Sequence, residues 1–105
     1  MAFDDRIKVL KSCWYEGWDG RGAMPVSSTA INNCVEIKDL IGDTDIWLIA
    51  PGVNGDVMIT NKFANSGILL CPDNTFTWWA ERETLEGEEC VEFSLENVKE
   101  IIGKI

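Results

Sequence analysis

The chain has 105 residues, carries a formal charge of −9 and contains no histidine. One domain with a substantial core fits this length, and a 46% hydrophobic share with mean hydropathy −0.03 argues against intrinsic disorder. The absence of histidine excludes Ser–His and Cys–His nucleophile pairs within one chain and removes the commonest zinc ligand, while the acidic balance opposes nucleic acid and anionic membrane and favours basic surfaces.

The start, Ala2-Phe3-Asp4-Asp5, is not a basic segment leading into an apolar one, so no secretory signal is expected. No apolar run approaches the ~18 residues of a membrane span. Cys13, Cys34, Cys71 and Cys90 are widely spaced and form no Cys-x-x-Cys pair. They are expected to be reduced structural thiols in a cytoplasmic protein, with no metal or other cofactor.

Phe3, Ile7, Leu10 and Trp14 recur at spacings of four, three and four, which predicts a helix over 3–15 with these residues on its buried face. Asp4 and Asp5 suit its first turn, and Gly17 suits its end. Trp14-Tyr15-Glu16-Gly17-Trp18-Asp19-Gly20-Arg21-Gly22-Ala23-Met24-Pro25 follows, too rich in glycine for a regular element. A second helix is expected from Ser27 or Ser28 to Gly42, capped by serine, with Ile31, Cys34, Val35, Lys38 and Ile41 as its stripe and Ile37 beside it.

From residue 45 the period becomes that of strands. Ile46–Ala50, Asp56–Lys62, Ile68–Cys71, Thr75–Glu83 and Cys90–Phe93 are expected strands. Their turns are expected at Pro51 to Gly55, Asn65-Ser66-Gly67, Pro72-Asp73-Asn74 and Leu85-Glu86-Gly87. Ser94 caps a last helix with Val98, Ile101, Ile102 and Ile105 on its apolar face. The expected fold is α+β in one domain, 1–105. Two N-terminal helices precede an antiparallel meander of four or five strands and a C-terminal helix, with the helices on one sheet face. Trp78 or Trp79 then lies on the open face with many carboxylates.

The stretch Trp18-Asp19-Gly20-Arg21-Gly22-Ala23-Met24-Pro25-Val26-Ser27 resembles a W-D-G-x-G-A-x-P motif of small uncharacterised proteins of bacteria, phages and other mobile elements. In those proteins an amphipathic helix, a proline-flanked strand and a glycine-led strand ending near tryptophan come next. The similarity runs over roughly 14–83, and this chain carries extra sequence between Asp56 and Trp78. The resemblance implies the fold and a mobile-element origin, and it brings no catalytic residues.

Asp19 is a lone carboxylate with only Glu16 nearby, too few ligands for an oxygen-loving cation. The glycines lack the lysine and preceding strand of a phosphate loop. Trp18, Asp19, Gly20, Gly22 and Pro25 are therefore read as a structural corner, with Asp19 accepting backbone N–H bonds and the glycines supplying positive φ. Between Glu81 and Glu100 eight acids face only Arg82 and Lys99. The plain reading is a solvated face that aids solubility. The sharper reading is a partner surface built from Trp79, Glu81, Glu83, Glu86, Glu88, Glu89 and Glu92, with Trp79, Glu81 and Glu83 on one strand side. It points to a non-enzymatic interaction protein that inhibits or neutralises a basic macromolecule such as a toxin or defence nuclease, in the manner of an immunity protein. A small-molecule pocket lined by Trp14, Trp18 and Trp47, and a homodimer formed through the open sheet face, are the other readings. A glycosidase-like carboxylate pair is the weakest, because no spacing selects one pair.

Overall fold

The computed structural model describes residues 3–105. Three helices come first: α1 (Phe3–Ser12), α2 (Ser28–Glu36) and the single turn α3 (Lys38–Ile41). Five strands follow, β1 (Trp47–Pro51), β2 (Val57–Asn61), β3 (Ser66–Leu70), β4 (Thr75–Glu81) and β5 (Leu85–Glu92), before α4 (Leu95–Ile102). The strands form an antiparallel meander in the order β1-β2-β3-β4-β5.

Cross-strand register aligns Ile49, Ile59, Ile68 and Trp78 in one row and Val57, Leu70 and Phe76 in the next. These rows join Phe3, Ile7, Leu10, Ala30, Ile31, Cys34, Ile37, Ile41, Val98 and Ile101 in a single core, so the helices cover one face of the sheet. The opposite face presents Leu48, Ala50, Met58, Thr60, Leu69, Thr77 and Trp79. Of the two adjacent tryptophans, Trp78 is inward and buried, and Trp79 is outward and half-buried.

Serine capping holds at both expected sites. The Thr29 N–H donates to Ser27 Oγ at 3.1 Å, and the Asn97 N–H donates to Ser94 Oγ at 3.0 Å. Lys38 Nζ stands 5.5 Å from the centre of the Phe3 ring and 3.7 Å from Asp4. It ties α3 to α1 with a solvent-exposed pair worth at most about 1 kcal/mol.

Several elements depart from the sequence reading. The first helix stops at Ser12, so Trp14 leaves the helical face and is 73% exposed. The buried stripe of the second helical region runs through Ala30, Cys34, Ile37 and Ile41, and Val35 and Lys38 point outward. The helix also breaks at Ile37 (φ −97°, ψ 16°), which closes α2 and opens α3. Ser66 and Gly67 belong to β3, not to a turn, and Leu85-Glu86-Gly87 opens β5. The β4–β5 turn is Arg82-Glu83-Thr84, where the Arg82 N–H donates to the Thr84 carbonyl at 3.2 Å. Glu83 therefore lies in that turn and shares no strand face with Trp79. Glycine is a turn signal in sequence, but at both places it answers a close approach within the sheet. A Cβ on Gly67 would sit 2.5 Å from the Ile59 carbonyl and 2.6 Å from the Trp79 ring, and one on Gly87 would sit 2.4 Å from the Trp78 carbonyl.

Trp79 thus lies over Gly67 on the outer face. Replacing Gly67 with alanine should displace the indole and cost roughly 1–3 kcal/mol, the usual range for overpacking. Urea denaturation should report the loss, accompanied by a shift in tryptophan emission.

Candidate functional site

The loop 13–27 is pinned at every level. Asp19 Oδ1 accepts the Arg21 N–H at 2.8 Å and the Ala23 N–H at 3.1 Å. Gly17, Gly20 and Gly22 take φ of 78°, 76° and 82°, a region costly for residues with a Cβ. Trp18 Nε1 donates to the Met24 carbonyl at 2.7 Å, and its ring packs against the core. The loop then docks on the β1–β2 connection: the Met24 N–H donates to the Val53 carbonyl at 2.9 Å and the Ser27 N–H to the Gly55 carbonyl at 2.8 Å. Pro25 sits between these two bonds, where it needs to donate nothing. The Trp18 indole N–H and the Asp19 carboxylate are thus both engaged in holding the corner.

Trp14, Trp18 and Trp47 do not surround a cavity. Trp14 stands in solvent with its ring edge-on to Tyr15 at 5.5 Å, Trp18 is half-buried, and Trp47 is part of the core. The exposure of Trp14 has no sequence signal, since an aromatic residue at helical spacing reads as core.

The acids gather at the other end of the sheet. Strand β5 is its edge, and from Leu85 to Cys90 every residue is exposed, with Leu85 at 71%. The carboxylates divide between its two sides. Glu86 pairs with Ala80 and Glu88 with Trp78, which sets both on the helix side, where Glu88 Oε1 accepts the Trp78 indole N–H at 3.3 Å. Glu81 shares the outer side with Trp79 and accepts a hydrogen bond from Asn65. Glu92 pairs with Thr75, also on the outer side. Two residues, Glu89 and Cys90, oppose Thr77 in a bulge, with Cys90 at φ 55° and its N–H 3.3 Å from Thr77 Oγ1. Thr77, Trp79, Leu85 and Glu89 border a shallow groove of about 430 Å³ along this edge. Arg82, the cation of the β4–β5 turn, donates to the Lys104 carbonyl. The structure therefore brings Trp79, Glu81, Glu86, Glu88, Glu89 and Glu92 to the β4–β5 edge, and Glu83, expected on one strand side with Trp79 and Glu81, lies in the adjoining turn.

The four thiols are free: Cys13 and Cys34 are buried, Cys71 is half-buried and Cys90 is exposed. Burial pushes the Cys34 thiol up to about 12. Burial raises the Cys71 thiol, whose Sγ lies 3.6 Å from the Leu69 carbonyl. No helix of the described residues is long and apolar enough to cross a membrane. Compared with family models, curated proteins and solved structures, the chain matches none.

Two measurements follow from this geometry. Asp19→Ala removes the acceptor of two backbone N–H groups and should cost about 1–3 kcal/mol, whereas Asp19→Asn, which keeps a carbonyl oxygen, should cost less. Thermal unfolding separates the two. The unfolded chain loses its Cys34 proton near 9 and the folded chain near 12. The folded state therefore binds more protons between those values, and stability should fall as pH rises through that window. Cys34→Ser should flatten that decline in urea titrations.

Proposed function

We propose that the chain is a non-enzymatic acidic binding protein whose β4–β5 edge engages a basic macromolecular partner. One observation carries this reading: carboxylates flank both sides of an exposed edge strand beside an apolar seam of Trp79 and Leu85. Such an edge attracts cations over distance. The seam supplies what charge alone does not. A leucine side chain is worth about 1.5–3 kcal/mol when buried, and Leu85 leaves most of its surface in water. Burial of Leu85 and Trp79 against a partner recovers that energy, while the carboxylates choose which partner approaches.

The partner class in this reading is a protein that itself binds nucleic acid, such as a toxin or a defence nuclease, whose phosphate-binding cations the glutamates match. The motif around Trp18-Asp19-Gly20 adds an origin on a phage or other mobile element, and the free thiols suit a reducing cytoplasm. The corner that carries the motif acts in folding, remote in sequence from the binding edge.

Reversing Glu83, Glu86 and Glu89, exposed acids without hydrogen-bond partners, to lysine should abolish capture of basic proteins from a lysate at low salt and leave the thermal midpoint nearly unchanged. Reversing Asp5, Glu36 and Asp45, exposed acids elsewhere, changes net charge equally and should leave capture intact. Equal loss in both variants would reduce the effect to bulk charge and overturn the reading.

A further inference from the structure

The two free edges of the sheet differ. β1 has five residues, ends in Pro51, which has no N–H to offer, and is packed by α1. β5 has eight residues and no proline, and the described residues add no strand beyond it. The Glu81 N–H donates toward β3, to the Asn65 carbonyl at 2.8 Å. Ala80 therefore turns its N–H and carbonyl toward β5, where Glu86 is its partner. By the alternation of an antiparallel ladder, Leu85 and Gly87 direct theirs away from the sheet. An open backbone row of this kind is a template for a further strand.

The side chains specify which strand. Glu86 and Glu88 lie two residues apart on the helix side, and Leu85 and Gly87 lie on the outer side beside Trp79. A flat basic surface reaches only one of these sides. An extended segment meets both, because its own side chains alternate with the same period. Cations at every second position then stand beside Glu86 and Glu88, and apolar residues between them stand beside Leu85 and the groove. A second copy of this chain is disfavoured at the same place, since its glutamates would oppose glutamates.

We infer that β5 receives an extended, basic segment of the partner protein as a sixth strand, with lysine or arginine alternating with apolar residues. This rests on the reading of the acidic edge as the binding site and adds the backbone geometry of the contact.

The test uses the intact chain and three synthetic seven-residue peptides: alternating lysine and valine, the same peptide N-methylated at every interior amide, and alternating glutamate and valine. Affinity is read by titration at low salt, and amide exchange by NMR. The lysine–valine peptide should bind, slow exchange of the Leu85 and Gly87 amides, and lose at least about tenfold in affinity on N-methylation, the equivalent of one or two hydrogen bonds. Equal binding by both lysine peptides, without protection of those amides, would overturn strand addition and leave the charge-based reading standing. Binding of neither lysine peptide above the glutamate control would overturn both. Slow exchange of Leu85 and Gly87 in the free protein, with a concentration-dependent sedimentation coefficient, would assign the edge to self-pairing and overturn the inference.

Discussion

The register of β4 against β3 is the constraint on which the rest of the molecule depends. Trp78 and Trp79 are adjacent and must face opposite sides of the sheet. In the observed register Trp78 completes the core row with Ile49, Ile59 and Ile68, and Trp79 finds the only residue type that leaves room for its ring, Gly67. A slip of one residue would drive Trp79 into the core and turn Trp78 out of it. The same register carries the β4–β5 turn to Arg82-Glu83-Thr84, and through the bulge at Glu89 and Cys90 it decides which glutamates fall on which side of β5.

Core and edge are built on opposite principles from one alternating pattern. Towards the helices, apolar rows from β1, β2, β3 and β4 and from α1, α2, α3 and α4 merge into one cluster. At β5 the same alternation continues, but glutamate and glycine replace the large apolar side chains, so the core ends there. Like charges along an edge repel one another and discourage pairing with a second copy. They also leave an open backbone and an exposed leucine beside a tryptophan. In the proposed binding mode, protection from self-association and selectivity for a basic partner come from the same residues.

Much of the fold was legible before the structure. Serine caps at Ser27 and Ser94, the period change after residue 45, the alternation of Phe76, Trp78 and Ala80, and the Pro72-Asp73-Asn74 turn are local signals, and local hydrogen bonding decides them. The misreadings share a cause. Gly67 and Gly87 looked like turn residues because glycine marks turns, yet both exist for close approaches made by residues distant in sequence: Ile59 and Trp79 in one case, Trp78 in the other. Trp14 looked buried because its spacing from Leu10 is helical, yet the helix ends two residues before it.

By itself the sequence determined the class of fold, the acidic character and the role of Asp19 as an acceptor within its own loop, because each follows from composition or from contacts a few residues apart. Tertiary structure decided that the glutamates straddle an edge. Which side Glu86 and Glu88 occupy depends on pairing with Ala80 and Trp78 across a turn and beside a bulge. Strand pairing joins backbone groups whatever side chains they carry, so a shift of one residue reverses the outcome and no local pattern in the acidic segment records it.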